Sequence, residues 1–257
     1  MRHLIPFALL LLLKAVSNLF WRKEVRWVGE VGPGDRWEDV RVVAILNHTS
    51  LYEWVFAGVC PNRFLRQIAL HGVVPIAEKT AQRPLVGAFF RTVAAHVVPI
   101  SRHRDHTWRT VIEKVDDPKA MLLILPEGRM MRRNGLDHEG KPMTVRGGIA
   151  DVLLLVPDGK LLLAYSGGLH HVQAPGEHVP RLFRTVRMNF ERVDVAAYRE
   201  AMLAAGEAGF RSRVKADLEV RRDRWCPATP ESAPGLGRTE VSPPRAAGRT
   251  ARPGPPV

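Results

Sequence analysis

Cysteine is nearly absent. Of 257 residues only Cys60 and Cys226 carry a thiol, and they are far apart with no CxxC spacing. A disulfide framework and a structural zinc site are thereby excluded. His170, His171 and His178 form a local group but lack HExxH or a comparable ligand spacing, so no metal is expected there. Internal repeats are missing, as are a recognisable RNA- or DNA-binding signature and regularly spaced aromatics for base stacking. Acidic residues are in deficit: 26 Asp and Glu face 38 Lys and Arg, which leaves a net charge of +12. That balance points to an anionic partner, whether membrane lipid, phosphorylated substrate or nucleic acid. The arginines are scattered, so nucleic acid is not expected. A long apolar run is also lacking. The best candidate, Leu4 to Phe20, contains Lys14 and as a helix would reach about 25 Å, short of a roughly 30 Å hydrocarbon core.

The chain does hold enough apolar material, 46% of its residues, for one sizeable α/β domain with appendages. Leu4 to Phe20 reads as a membrane-surface or half-inserted helix, a signal-peptide hydrophobic region or a core helix. Ala15-Val16-Ser17 resembles a leader cleavage site. Trp21, Arg22, Lys23, Arg26 and Trp27 come directly after it, however, and aromatics interleaved with cations suit anionic headgroups, which favours membrane attachment. The expected organisation is an attachment segment at 1–30, an α/β domain at 31–192, a helical segment at 193–226 and a disordered tail at 227–257. That tail is dominated by Pro, Gly, Ser, Ala and Arg.

Within the α/β domain, Val40 to Leu46, interrupted only by Arg41, reads as a buried strand, and a helix pattern begins almost at once after it. Phe64 to Val74 carries a second strand pattern broken by Arg66 and Gln67. Glu78 to Thr92 reads as a helix with Pro84 in its first turn or at a kink. Next come a short strand at His96 to Ile100, a helix from Thr107 to Val115 and an apolar strand at Ala120 to Leu125. Arg146-Gly147-Gly148 opens a helix running to Leu155, Leu161 to Tyr165 is a strand, and Phe183 to Phe190 a final one. Val195 to Arg222 is one long helix or two with a break near Gly206 to Gly209. The alternation predicts an α/β fold, a mixed sheet covered by helices on both faces, with an N-terminal membrane-associated helix.

In such sheets functional groups gather at the carboxyl ends of strands. Asn47-His48 ends the first strand, and Glu53 lies five positions after His48. A neutral imidazole with a carboxylate on its second nitrogen is a general base with its orienter. Ser50 to Glu53 is equally a capping box, with Ser50 and Glu53 each accepting the other's backbone N–H. Ser101-Arg102 and Pro126-Glu127-Gly128-Arg129 end two further strands. Arg102 and Arg129 have the planar fork that grips phosphate, whereas Arg104, Arg132 and Arg133 read as solvated cations.

The order of these blocks resembles the glycerolipid acyltransferase family that includes 1-acylglycerol-3-phosphate acyltransferases. That family is marked by His-x4-Asp, an arginine-bearing block, a Pro-Glu-Gly block and a later apolar block ending near a proline. The matching stretches are His48 to Glu53, Glu78-Lys79 through Pro84 to Gly87 and on to Val98-Pro99-Ile100-Ser101-Arg102, then Leu125 to Arg129, and Arg146-Gly147-Gly148. Together they span roughly residues 20 to 190. The resemblance implies that His48 is the catalytic base on an acceptor hydroxyl that attacks an acyl thioester, and that Glu53 orients it. Arg102 would bind the acceptor phosphate, Glu127 and Gly128 would shape the acceptor site, and Arg129 would assist. The co-substrate would be acyl-CoA or acyl carrier protein, with no cofactor. The partners would be a phosphorylated lipid acceptor, most simply 1-acylglycerol 3-phosphate, and a membrane surface at its cytoplasmic face. Glu53 replaces the family's Asp, Ser101 replaces a common acid, and the block near Leu163 to Ser166 lacks its proline.

Two rival readings are weaker. Ala164-Tyr165-Ser166-Gly167-Gly168 approximates a hydrolase nucleophile elbow, but no histidine comes after Asp194 to complete a triad in that chain order. The other is a non-catalytic basic protein binding membrane or nucleic acid, supported by charge alone.

Overall fold

The computed structural model describes residues 4–101, 106–177 and 179–228. Seven strands make one sheet: β1 (Arg22–Val28), β2 (Val40–Leu46), β3 (Gly72–Ala77), β4 (His96–Ile100), β5 (Met121–Ile124), β6 (Lys160–Ser166) and β7 (Thr185–Asp194). Their spatial order is β1-β7-β6-β2-β5-β3-β4. β6 and β7 run antiparallel, and every other neighbouring pair is parallel, so the sheet is mixed.

Both faces are covered, which is why the central strands read as continuous apolar runs rather than alternating ones. On one face Val42, Ala44 and Leu46 of β2 and Leu161, Leu163 and Tyr165 of β6 pack under α5 (His106–Val115), α6 (Gly148–Leu155), α7 (Val195–Leu203) and α8 (Phe210–Trp225). On the other, Val43, Leu162 and Ala164 pack under α1 (Leu4–Phe20), α2 (Asn62–His71) and α4 (Pro84–Val93). A four-residue helix, α3, spans Glu78–Ala81. Arg41, the one cation in β2, is nearly buried because it collects the carbonyls of Val115, Asp117 and Ala120 at the end of α5.

Several expectations need correcting. Phe64 to Val74 is not a strand: Phe64, Leu65, Ile68 and Ala69 are buried at helical spacing, Arg66 and Gln67 face solvent, and the strand starts only at Gly72. The helix expected over 78–92 is two pieces, because Pro84 can open a helix but not sit inside one, and it takes the first position of α4. The segment that carries Trp54 is a 3₁₀ turn, Glu53–Val59, rather than an α-helix. Arg22 to Trp27 belong to edge strand β1; Trp21, just before it, is buried, and Trp27 is stacked on Phe190 at 5.2 Å, so both indoles pack within the protein. Of the expected tail, 229–257 lies outside the described residues.

The helical segment near the C-terminus shares the same core. Arg221 of α8 donates to Glu191 on β7 (2.6 Å) and to Asp217 (2.7 Å); Tyr198 of α7 also donates to Asp217 (2.7 Å), and Tyr165 of β6 to Glu191.

Candidate active site

β6, β2 and β5 are consecutive and parallel in the sheet, so their carboxyl ends open side by side. β2 is followed by Asn47, which adopts φ 65, a left-handed conformation that Asn tolerates better than most residues. Its side-chain amide donates to Ser166 O at the end of β6 (2.8 Å), and its backbone N–H donates to Glu127 Oε1 beyond β5 (3.2 Å). The next N–H, of His48, goes to Glu127 Oε2 (2.8 Å), and the His48 carbonyl accepts from Met131 N (2.8 Å). Thr49 Oγ1 accepts from Leu169 N (2.7 Å) and Ser50 Oγ donates to Gln173 Oε1 (2.6 Å). The loop carrying the imidazole is thus pinned from both flanking strand ends.

His48 Nδ1 lies 2.9 Å from Glu53 Oε1, so the longer side chain reaches where the family has Asp. The same oxygen accepts from the backbone N–H of Thr49 (3.2 Å) and Ser50 (3.1 Å). Cap and orienter are therefore one group. Only half of the expected capping box forms, because Ser50 Oγ accepts from Tyr52 rather than Glu53. With a carboxylate on Nδ1, the neutral tautomer carries its proton there and leaves Nε2 as the basic nitrogen. His48 is only 8% exposed. Burial opposes its charged form, but the Glu53 carboxylate, through charge and hydrogen bond, and the more distant Glu127 outweigh that, so its pKa is raised.

The remaining candidates divide. Glu127 is 2% exposed, and its oxygens are taken by the two backbone donors above and by Arg222 Nη1 (3.2 Å). Gly128, expected from the family resemblance to shape the acceptor site, adopts φ 65 in the turn after β5, a conformation that glycine takes without strain. Arg129 Nη1 is engaged by Asp137 and by Glu139 (3.1 Å), which ties down the 129–141 loop. Asp137 is held well below the usual carboxylate range by the Lys141 backbone N–H and by Arg129. Arg102 lies outside the described residues. β4, which ends at Ile100, stands three strand spacings from β2, about 14 Å across the sheet. Arg146 is exposed beside the Gly128 turn, its Cγ 3.7 Å from where a Cβ on Gly128 would sit. Sequence reasoning missed Arg222 and Gln173. Both act across more than 90 residues, and no local pattern marks them.

The family model described as Acyltransferase matches residues 31–160. No curated protein matches the chain. Among solved structures the fold is similar to that of the 1-acyl-sn-glycerophosphate (LPA) acyltransferase PlsC from Thermotoga maritima, with a TM-score of 0.50 and 18% identity over 84% of this chain and 80% of that one.

Proposed function

The chain belongs to the acyltransferase family, and from that premise we propose that it moves a fatty acyl group from acyl-CoA or acyl carrier protein to the hydroxyl of a lysophospholipid-type acceptor, 1-acylglycerol 3-phosphate in the first instance. The observation that carries the reading is the His48–Glu53 contact at the shared end of three strands, with the basic nitrogen free of any hydrogen bond to a described residue. In the proposed mechanism Nε2 takes the acceptor hydroxyl proton while the oxygen attacks the thioester carbon. Glu53 stabilises the imidazolium so formed. Collapse of the tetrahedral intermediate breaks the C–S bond, and the imidazolium returns its proton to the leaving thiolate. A positioned base of this kind contributes about 10²–10⁴-fold in rate. Arg102, with the exposed Arg146 beside the Gly128 turn, supplies cations for the acceptor phosphate.

We also propose that the protein works on a lipid surface, at the cytoplasmic face. Among the described residues no helix is long and apolar enough to cross a membrane. Instead α1 packs one side on the core through Leu10 and Ser17 and exposes Ile5, Ala8, Leu12, Ala15 and Leu19, spaced alternately by three and four. Exposed Phe183, whose ring lies 6.0 Å from that of Phe20, extends this stripe. An apolar stripe on a chain of net charge +12 suits an interfacial helix on an anionic leaflet.

The test is acyl transfer from labelled acyl-CoA or acyl carrier protein to lysophosphatidic acid, other lysophospholipids and glycerol 3-phosphate. Transfer to a phosphorylated acceptor that disappears in a folded His48→Ala variant is the expected result. Retention of most activity by that variant removes His48 as the base.

A further inference from the structure

Glu127 is a buried carboxylate whose oxygens receive the N–H groups of Asn47 and His48, the residues that begin the imidazole loop. Such a charge persists away from water only when a cation pairs it. Arg222 on α8 provides the cation: Nη1 donates to Glu127 Oε1 (3.2 Å) and to Met143 O (3.1 Å), and Nε to Asp223 (2.9 Å). Among the described residues, Arg222 makes the one ion pair to Glu127. The helix itself is anchored on both sides of this contact. Arg221 bridges Glu191 and Asp217, and Glu219 accepts from Val145 N (2.7 Å). Arg222 also stands well outside residues 31–160, the part of the chain that the family model matches.

Resting on the acyl-transfer reading, we propose that Arg222 is a positioning residue for the His48 base. Its charge fixes Glu127, Glu127 holds the Asn47 and His48 amides, and those amides hold the left-handed turn that aims the imidazole. The C-terminal helix is thereby part of the catalytic apparatus although it touches neither substrate nor base.

The experiment compares Arg222→Met, Arg222→Lys, Glu127→Gln and the Glu127→Gln/Arg222→Met double variant. Arg222→Met is expected to lower kcat about 100-fold, the cost of a misplaced catalytic group, with the acceptor KM changed less than about threefold. Arg222→Lys restores part of that loss. The double variant is no slower than Glu127→Gln alone, because a neutral amide needs no counter-charge. A kcat unchanged by Arg222→Met, a defect confined to KM, or losses that multiply in the double variant would each overturn the proposal. If Arg222→Met fails to fold, the neutral but polar Arg222→Gln decides in its place, and a native kcat there overturns it. Amide hydrogen exchange at Asn47 and His48, which needs no substrate, is expected to accelerate in the Arg222 variants. Unchanged exchange refutes the positioning role, whereas absence of transfer by the native protein refutes the acyl-transfer reading.

Discussion

Glu53→Gln separates the two jobs that one carboxylate oxygen performs. Glutamine keeps an oxygen able to accept from Thr49 N, Ser50 N and His48 Nδ1, bonds of 3.2, 3.1 and 2.9 Å in the native protein. The local cap survives, and stability should change by less than about 1 kcal/mol. What disappears is the charge. A hydrogen bond to an ionised partner contributes about 1.5–3 kcal/mol against about 1 for a neutral one. A loss of about 1–2 kcal/mol where the imidazolium forms slows transfer by about 5–30-fold. The pH profile moves as well. The native imidazole has a raised pKa and is active when neutral, so kcat/KM falls as pH drops through a value above the ordinary 6.5. Without the Glu53 charge, burial dominates and that acid limb shifts to lower pH. The same raised pKa adds stability that is fully present below the unfolded-state value and lost as pH rises through the folded one, and the variant should lose this dependence. Glu53→Ala, by contrast, strands three donors of buried residues, the Thr49 and Ser50 N–H groups and His48 Nδ1–H, each costing about 1–3 kcal/mol. Steady-state kinetics from pH 5 to 9 beside thermal melts distinguish the variants. An unmoved acid limb and an unchanged kcat in Glu53→Gln, with only Glu53→Ala unstable, would reduce Glu53 to a helix cap.

Arg102→Ala should raise KM for the phosphorylated acceptor while leaving thioester handling near native; a defect seen only against the acyl donor would remove its phosphate role. The exposed stripe of α1 predicts lipid binding. Ile5, Leu12 and Leu19 are 57–69% exposed, so burying them in a bilayer interface contributes about 1–2 kcal/mol each. Their joint replacement by Ser should weaken sedimentation with anionic vesicles by at least about 100-fold, and undiminished binding would place the lipid contact elsewhere.

The dyad was legible because it is local: four residues separate His48 from Glu53, and strand β2 announces itself as an apolar run. Failures came where neighbouring signals overlap or lie far apart. α2 passes into β3 without a loop, so Phe64 and Leu65 at helical spacing merged with Val73 and Val74 into one false strand. β1 is an edge strand with its residues exposed or half-exposed, so its sequence lacks the apolar run that marks the central strands. Arg222 sits among Arg211, Arg213, Arg221 and Arg224 on one charged helix. Nothing in that stretch distinguishes the arginine that reaches Glu127 from those that do not.

The position of β1 bears on how the molecule is made. Among the described residues β7 is the one strand that pairs with β1, and Glu24 meets Arg187 from 163 residues away. At about 5–20 residues per second, a ribosome needs roughly 8–30 s to produce that partner after β1 itself. Throughout that interval β1 and the apolar helix before it emerge with no sheet edge to join. The first lipid surface or chaperone that β1 meets during translation therefore has access to it before its partner strand does.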